Sequence, residues 1–275
     1  MIQVKRNIID TNPQEIINDL REKFYVDIPF PIERGVIEKA VQAFFEFLNQ
    51  PDQVKNHIDF TIAPQHRRGD VGYKRRDAEN HVYDDNKDFF HYHPALFERH
   101  TDFLEENPVV KDFVMQAAPI WDMANKALQD IFNSLEPDFP GIYNKIFDTE
   151  HSHILLRFLR YDWENSGKYL AKPHYDAGSF TLAIAESCIG LRIGSGPENL
   201  KIVEHKVENA ILMLASNFQK VIDADGLKAG WHDVIQLDEV QIGKPFSRWA
   251  VVVFIDAHSV ESLPRTETHK WYTAE

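Results

Sequence analysis

Only one cysteine, Cys188, occurs in 275 residues, so no intramolecular disulfide can form and a reducing compartment is the natural setting. Positive charge is scarce as well: 30 Lys+Arg stand against 43 Asp+Glu, a net charge of -13. Tracking a phosphate backbone needs an excess of positive charge, so nucleic acid is not an expected partner. One local basic cluster remains, in His66, Arg67, Arg68 and Lys74, Arg75, Arg76. Long apolar runs are missing, so no transmembrane helix and no membrane partner is expected. The opening stretch, MIQVKRNIIDTNPQEI, lacks the apolar segment of a secretory signal. A cytoplasmic protein is the expectation. Internal repeats, low-complexity stretches, a GxGxxG fingerprint, a P-loop and a GxSxG elbow are also missing, which disfavours nucleotide folds and a serine hydrolase.

What is present is ordinary globular composition, 43% hydrophobic and 27% charged, in a chain long enough for a sizeable core. Its character changes near residue 150. Before that point apolar residues recur at helical spacing. Ile16, Ile17 and Leu20 predict a helix over 13–23, and Val36, Ala40, Phe44, Phe45 and Leu48 another over 32–48. Two more fit 109–135 and 139–148, a short strand fits 24–28, and the polar, aromatic stretch 60–95 reads as a long loop. After residue 150 short strands follow one another at 153–161, 179–185, 190–193, 200–203, 210–214, 218–222, 234–237, 249–255 and 270–273, separated by turn residues. That pattern predicts a sandwich or barrel.

Thirteen histidines make chance metal-like spacings common. His-x-Asp occurs at His57/Asp59, His100/Asp102 and His174/Asp176. Residues i and i+2 share a face on extended chain but not on a helix. His57 and His100 lie in helical or helix-end stretches, where a solvated pair is the simpler reading. His174 and Asp176 follow Pro173 and precede a clear strand, so both side chains can converge on one ion. His151/His153 and His91/His93 are weaker competitors, the second because the glycines of a cupin motif are missing around HYHPALFE. Cys188, in an apolar strand-end context, reads as core.

The stretch LLRFLRYDWENSGKYLAKPHYDAGSFTLAIAESCIGLRI resembles the core of the iron(II)/2-oxoglutarate-dependent dioxygenases, in the isopenicillin N synthase-like branch. The matching parts are Tyr161, His174/Asp176, Gly178, Thr181-Leu182 and Gly190-Leu191-Arg192-Ile193. Further on, SNFQKVIDADGLKAGWHDV matches the segment that ends in the distal histidine, His232, and SRWAVVVFID matches the arginine strand, giving Arg248. REKFYVDIP, AVQAFFEFLNQPDQVKNHI and GDVGYKRR match the first half of the family in the right order.

The resemblance implies a double-stranded β-helix (jelly-roll) core over 151–275, with a mostly helical region, 1–150, packed on it. It implies Fe(2+) held by His174, Asp176 and His232, with Arg248 and Tyr161 toward 2-oxoglutarate as cosubstrate, O2 as oxidant and a small-molecule substrate. Two histidines and a carboxylate leave three adjacent positions open on an octahedral ion. His258 is the rival to His232, but it would put the arginine upstream of the third ligand, against the family order. The chain departs from the family at Ala250, where serine is usual, at Ala215-Ser216 in place of Gly-Asp, at Leu159 in place of asparagine, and in a longer gap between His232 and Arg248. An oxidase using the same iron without 2-oxoglutarate, or a binding protein on the same scaffold, stays open. Arg157, Arg160 and Arg192 are candidates to meet an anionic substrate, with Phe180, Phe218 and Phe254 as candidate wall residues.

Overall fold

A computed structural model describes residues 12–62, 70–76, 86–147, 153–162, 169–237 and 246–257. His66, Arg67, Arg68, His151, His258 and the strand expected at 270–273 lie outside them.

The helices are α1 (Pro13–Glu22), α2 (Arg34–Leu48), α3 (Asp52–Lys55), α4 (Ala95–Arg99), α5 (Thr101–Glu106), α6 (Pro108–Leu135) and α7 (Ile142–Phe147). The first strands are β1 (Tyr25–Pro29), β2 (Asp59–Thr61), β3 (Asp70–Arg76) and β4 (Lys87–Tyr92). Then come β5 (His153–Tyr161), β6 (Tyr169–His174), β7 (Phe180–Glu186), β8 (Leu191–Gly194), β9 (Lys201–Ile202), β10 (Asn209–Leu214), β11 (Trp231–Ile235) and β12 (Arg248–Asp256). They form an eight-stranded sheet, β1-β10-β7-β12-β5-β4-β3-β2, and a four-stranded sheet, β6-β11-β8-β9, with antiparallel pairing throughout.

The interior strands of the larger sheet are buried on both faces, and their alternation sorts two cores. Trp249, Val251, Val253 and Ile255 of β12 join Ile154, Leu156 and Phe158 of β5 against the apolar stripes of α2 and α6. Phe44, Phe113 and Phe158 meet there with ring centroids 5.3–5.9 Å apart. Trp121 of α6 pins helix to sheet by donating its indole N–H to the Ile154 carbonyl at 2.8 Å. The opposite face carries a second core between the sheets, with Phe89, Leu159, Tyr161, Ala183, Met213 and Ala250 facing Leu191, Ile193 and Val234 of the smaller sheet. The jelly-roll expectation holds.

Two expectations need correction. Residues 60–95 are not one loop: β3 and β4 lie within them and pair with each other and with β5. Their charges hid the strands, because Arg75 and Arg160 both bond Asp88, which is nearly buried and also accepts the Tyr73 hydroxyl at 2.6 Å. The first half thus adds four strands to its helices, and half of the strands of the larger sheet come from it. Residues 218–222 are not a strand either: Phe218–Lys220 is a 3-10 turn, and Phe218 within it and Ile222 just after it drop into the outer core. Strand β6 was unexpected because Pro173 and short length mask it.

Candidate metal centre

His174 ends β6 and His232 lies on β11, directly opposite it in the antiparallel pair. Their rings are 4.3 Å apart between centroids. Asp176 follows in the turn that leads to β7, and that turn is held on both sides. The Ser216 N–H donates to the Asp176 carbonyl at 2.9 Å, Asn217 N–H to Gly178 at 2.8 Å, and Ser179 N–H to Ile255 at 2.9 Å. Gly178 has φ of +101°, and a Cβ there would sit 3.1 Å from the Ile255 carbonyl oxygen, so the turn needs glycine.

The three side chains converge. Nε2 of His174 lies 3.5 Å from Oδ1 of Asp176, and Nε2 of His232 lies 3.5 Å from its Oδ2. All three ligand atoms fall within 4.8 Å of one another. Each imidazole is oriented from behind. Nδ1 of His174 meets the Lys172 carbonyl at 2.6 Å, and Nδ1 of His232 meets the Gly230 carbonyl at 3.0 Å. A carbonyl oxygen only accepts, so each Nδ1 carries the proton and each Nε2 lone pair points at the shared space. Thr181 completes the support by donating its hydroxyl to Oδ2 of Asp176 at 2.8 Å.

Electrostatics match this geometry. Burial alone would raise the Asp176 carboxyl, but His232, His174 and the Thr181 hydroxyl outweigh it and hold it well below the usual carboxylate range. Burial pushes His232 down, against the pull of Asp176. The pull on Asp176 is the pull of positive charge at the Nε2 positions, which a divalent ion bound to neutral imidazoles would supply in place of protons. The donor set, two nitrogens and one carboxylate oxygen on one side of a point, fits an octahedral ion with open positions. The other His-x-Asp pairs do not assemble such a set. His57 stacks on Phe103 at 3.8 Å and lies 5.5 Å from the His100 ring, on the helical side.

The second core leads away from the ligands into the barrel. Phe254 is the register partner of Thr181. The Arg157 guanidinium lies between the rings of Phe254 and Phe89, 4.3 and 4.6 Å from their centroids. Its Nε donates to Nε2 of His91 at 2.7 Å, while Nδ1 of His91 meets the Asp70 carbonyl at 2.8 Å. Of the three strand arginines, Arg157 alone takes this inner position; Arg160 bonds Asp88, and Arg192 forks onto buried Asp233 at 2.5 and 2.8 Å. Of the three candidate wall residues Phe254 is on the inner side, whereas Phe180 and Phe218 belong to the outer core.

Arg248 is buried at the far end of the same inner face, opposite Tyr161, whose ring centroid is 5.8 Å from its Cζ. Its guanidinium pairs with Glu186 through Nη2 and donates Nε–H to the Cys188 carbonyl at 3.2 Å. Cys188 is thus half-buried, and its main chain rather than its thiol meets the arginine. Glu186 was not foreseen. Period-two alternation from Thr181 and Ala183 places it on the outer face. A bulge at Ile184, between the pairs Val252↔Ala183 and Val251↔Ala185, turns it inward. A lone acid closing the apolar run FTLAIAE was the available signal.

No protein-family model matches the sequence, and no curated protein matches it. Solved structures do. Dioxygenase for auxin oxidation 1 from Arabidopsis thaliana, solved with 2-oxoglutarate, gives a TM-score of 0.66 at 15% identity over 89% of this chain and 87% of that one. A Neurospora crassa protein solved with α-ketoglutarate (the same oxo acid) and thymine gives 0.64 at 15% identity over 89% and 80%. The dioxygenase for auxin oxidation from rice gives 0.61 at 16% identity over 89% and 78%. The chain has the fold of the 2-oxoglutarate- and Fe(II)-dependent oxygenases.

Proposed function

We propose that this protein is a non-haem Fe(II)- and 2-oxoglutarate-dependent dioxygenase that hydroxylates a small organic substrate. The observation that carries the reading is the convergence of His174, Asp176 and His232, with both imidazoles tied through Nδ1 to backbone carbonyls. Structures of similar fold that contain the oxo acid support the choice of cosubstrate. When bound, Fe(II) supplies open positions at which oxo acid and O2 meet, and the electrons that activate O2.

The chain's own residues do the rest. Asp176 brings the one formal negative charge among the ligands, and Thr181 fixes which of its oxygens faces the ion. Arg248 is a buried cation on the inner face, suited to the far carboxylate of 2-oxoglutarate through a charge-assisted fork. Tyr161 packs beside that guanidinium. Phe89, Phe254 and Arg157 line the side next to the ligand layer, where they orient a small substrate and keep water out.

A second reading is an oxidase that uses the same iron without 2-oxoglutarate. Ala250 in place of serine, and Glu186 resting on Arg248, favour it. Oxygen uptake by the Fe(II)-loaded protein, with and without 2-oxoglutarate, separates the two. The proposal expects uptake that requires the oxo acid and forms succinate. Uptake indifferent to the oxo acid selects the oxidase.

A further inference from the structure

We propose that Glu186 is a resident carboxylate on the Arg248 guanidinium, one that the far carboxylate of the cosubstrate must displace, so that Glu186 sets affinity for a dicarboxylic oxo acid. The inference rests on the 2-oxoglutarate reading above. It starts from burial: Arg248 is 3% exposed and Glu186 7%, and the two pair directly. The bulge at Ile184 exists in the register of β7 on β12, and its consequence is to bring Glu186 onto the inner face beside Arg248. A second carboxylate arriving at this guanidinium would leave one buried negative charge in excess, and buried charge without a partner is strongly disfavoured.

His205 supplies the missing partner. Its Nε2 meets the Ala183 carbonyl at 2.9 Å, so Nε2 carries a proton and Nδ1 is bare in the neutral ring. Nδ1 is buried, has no hydrogen-bond partner among the described residues, and lies 3.4 Å from Oε1 of Glu186. One proton taken up there gives Glu186 a charged partner as it leaves Arg248. The other charges facing His205 are Asp27 of β1 and Arg34 of α2, with Lys206 next in sequence. Lys206 is itself paired with Asp27 at 2.8 Å, and Arg34 also donates to the Glu186 carbonyl at 2.8 Å. Neither Asp27 nor Arg34 is placed to replace His205 at Oε1.

Calorimetric titration of the anaerobic Fe(II) protein with 2-oxoglutarate, and separately with pyruvate, tests this in wild type and Glu186→Gln. Pyruvate has the chelating oxo acid but no far carboxylate. The proposal expects Glu186→Gln to bind 2-oxoglutarate at least tenfold more tightly with pyruvate unchanged. It also expects net proton uptake on 2-oxoglutarate binding, read from buffers of different ionisation enthalpy, in wild type and not in the variant. Equal affinity, or equal proton uptake in both proteins, overturns it. Should Glu186→Gln fail to fold, Glu186→Asp keeps the charge but shortens the reach, and the same tightening is expected. If pyruvate and 2-oxoglutarate both fail to bind an iron-loaded protein of either kind, the cosubstrate reading itself falls.

Discussion

Thr181 donates its hydroxyl to Oδ2 of Asp176 at 2.8 Å, tying the candidate carboxylate ligand to a strand in the interior of the larger sheet. The hydroxyl and the main-chain bonds of the turn act on one side chain from two directions, which limits how far Asp176 can rotate away from the imidazoles.

Removing that hydroxyl should loosen the metal site without unfolding the protein. Thr181→Val keeps the shape and the buried position. It should weaken Fe(II) or Co(II) affinity by about 10- to 100-fold, as loss of a group that supports a ligand typically does. Metal titration with matched circular dichroism checks this. Unchanged affinity would mean that Asp176 is held by the turn alone.

Gly178 is the conformational requirement of the same turn. Its φ of +101° is open to glycine, and an added Cβ would press on the Ile255 carbonyl at 3.1 Å. Gly178→Ala should lower stability by about 1–3 kcal/mol and displace Asp176, so the urea midpoint and the metal affinity should fall together. A midpoint equal to wild type would show that the turn relaxes at no cost.

His205 gives a pH dependence with a definite sign. Burial pulls its pKa below the ordinary value of 6.5. The unfolded chain then binds the proton first as pH falls, so stability is held above about pH 6.5 and declines below it. His205→Gln cannot take up that proton, and its urea midpoints between about pH 7 and 5 should decline less steeply than those of wild type. Parallel declines in the two proteins would contradict a buried neutral His205.

Much of the candidate site was legible in the sequence because its signals are local. His174 and Asp176 follow a proline, precede an apolar strand and sit two residues apart on extended chain, which is enough to set them apart from His57/Asp59 and His100/Asp102. His232 and Arg248 came from the order of longer motifs rather than from spacing. What failed to read was long-range. Strands β3 and β4 looked like loop because their charges are satisfied by each other and by Arg160, partners that no window of sequence contains. Phe218, Val221 and Ile222 look like residues of a short strand, yet the chain there makes a 3-10 turn, and Phe218 and Ile222 are buried around it. Glu186 was lost to a one-residue bulge, because alternation assigns a face only while the register holds.

The most direct test of the central claim is an anaerobic Fe(II) titration in the presence of 2-oxoglutarate, following the visible charge-transfer band of the chelate, in wild type, Asp176→Ala and Arg248→Ala. The account predicts a band in wild type and none in Asp176→Ala. In Arg248→Ala the band should return only at much higher oxo acid. A wild-type protein that binds no Fe(II), or an Asp176→Ala variant that forms the band as wild type does, would contradict it.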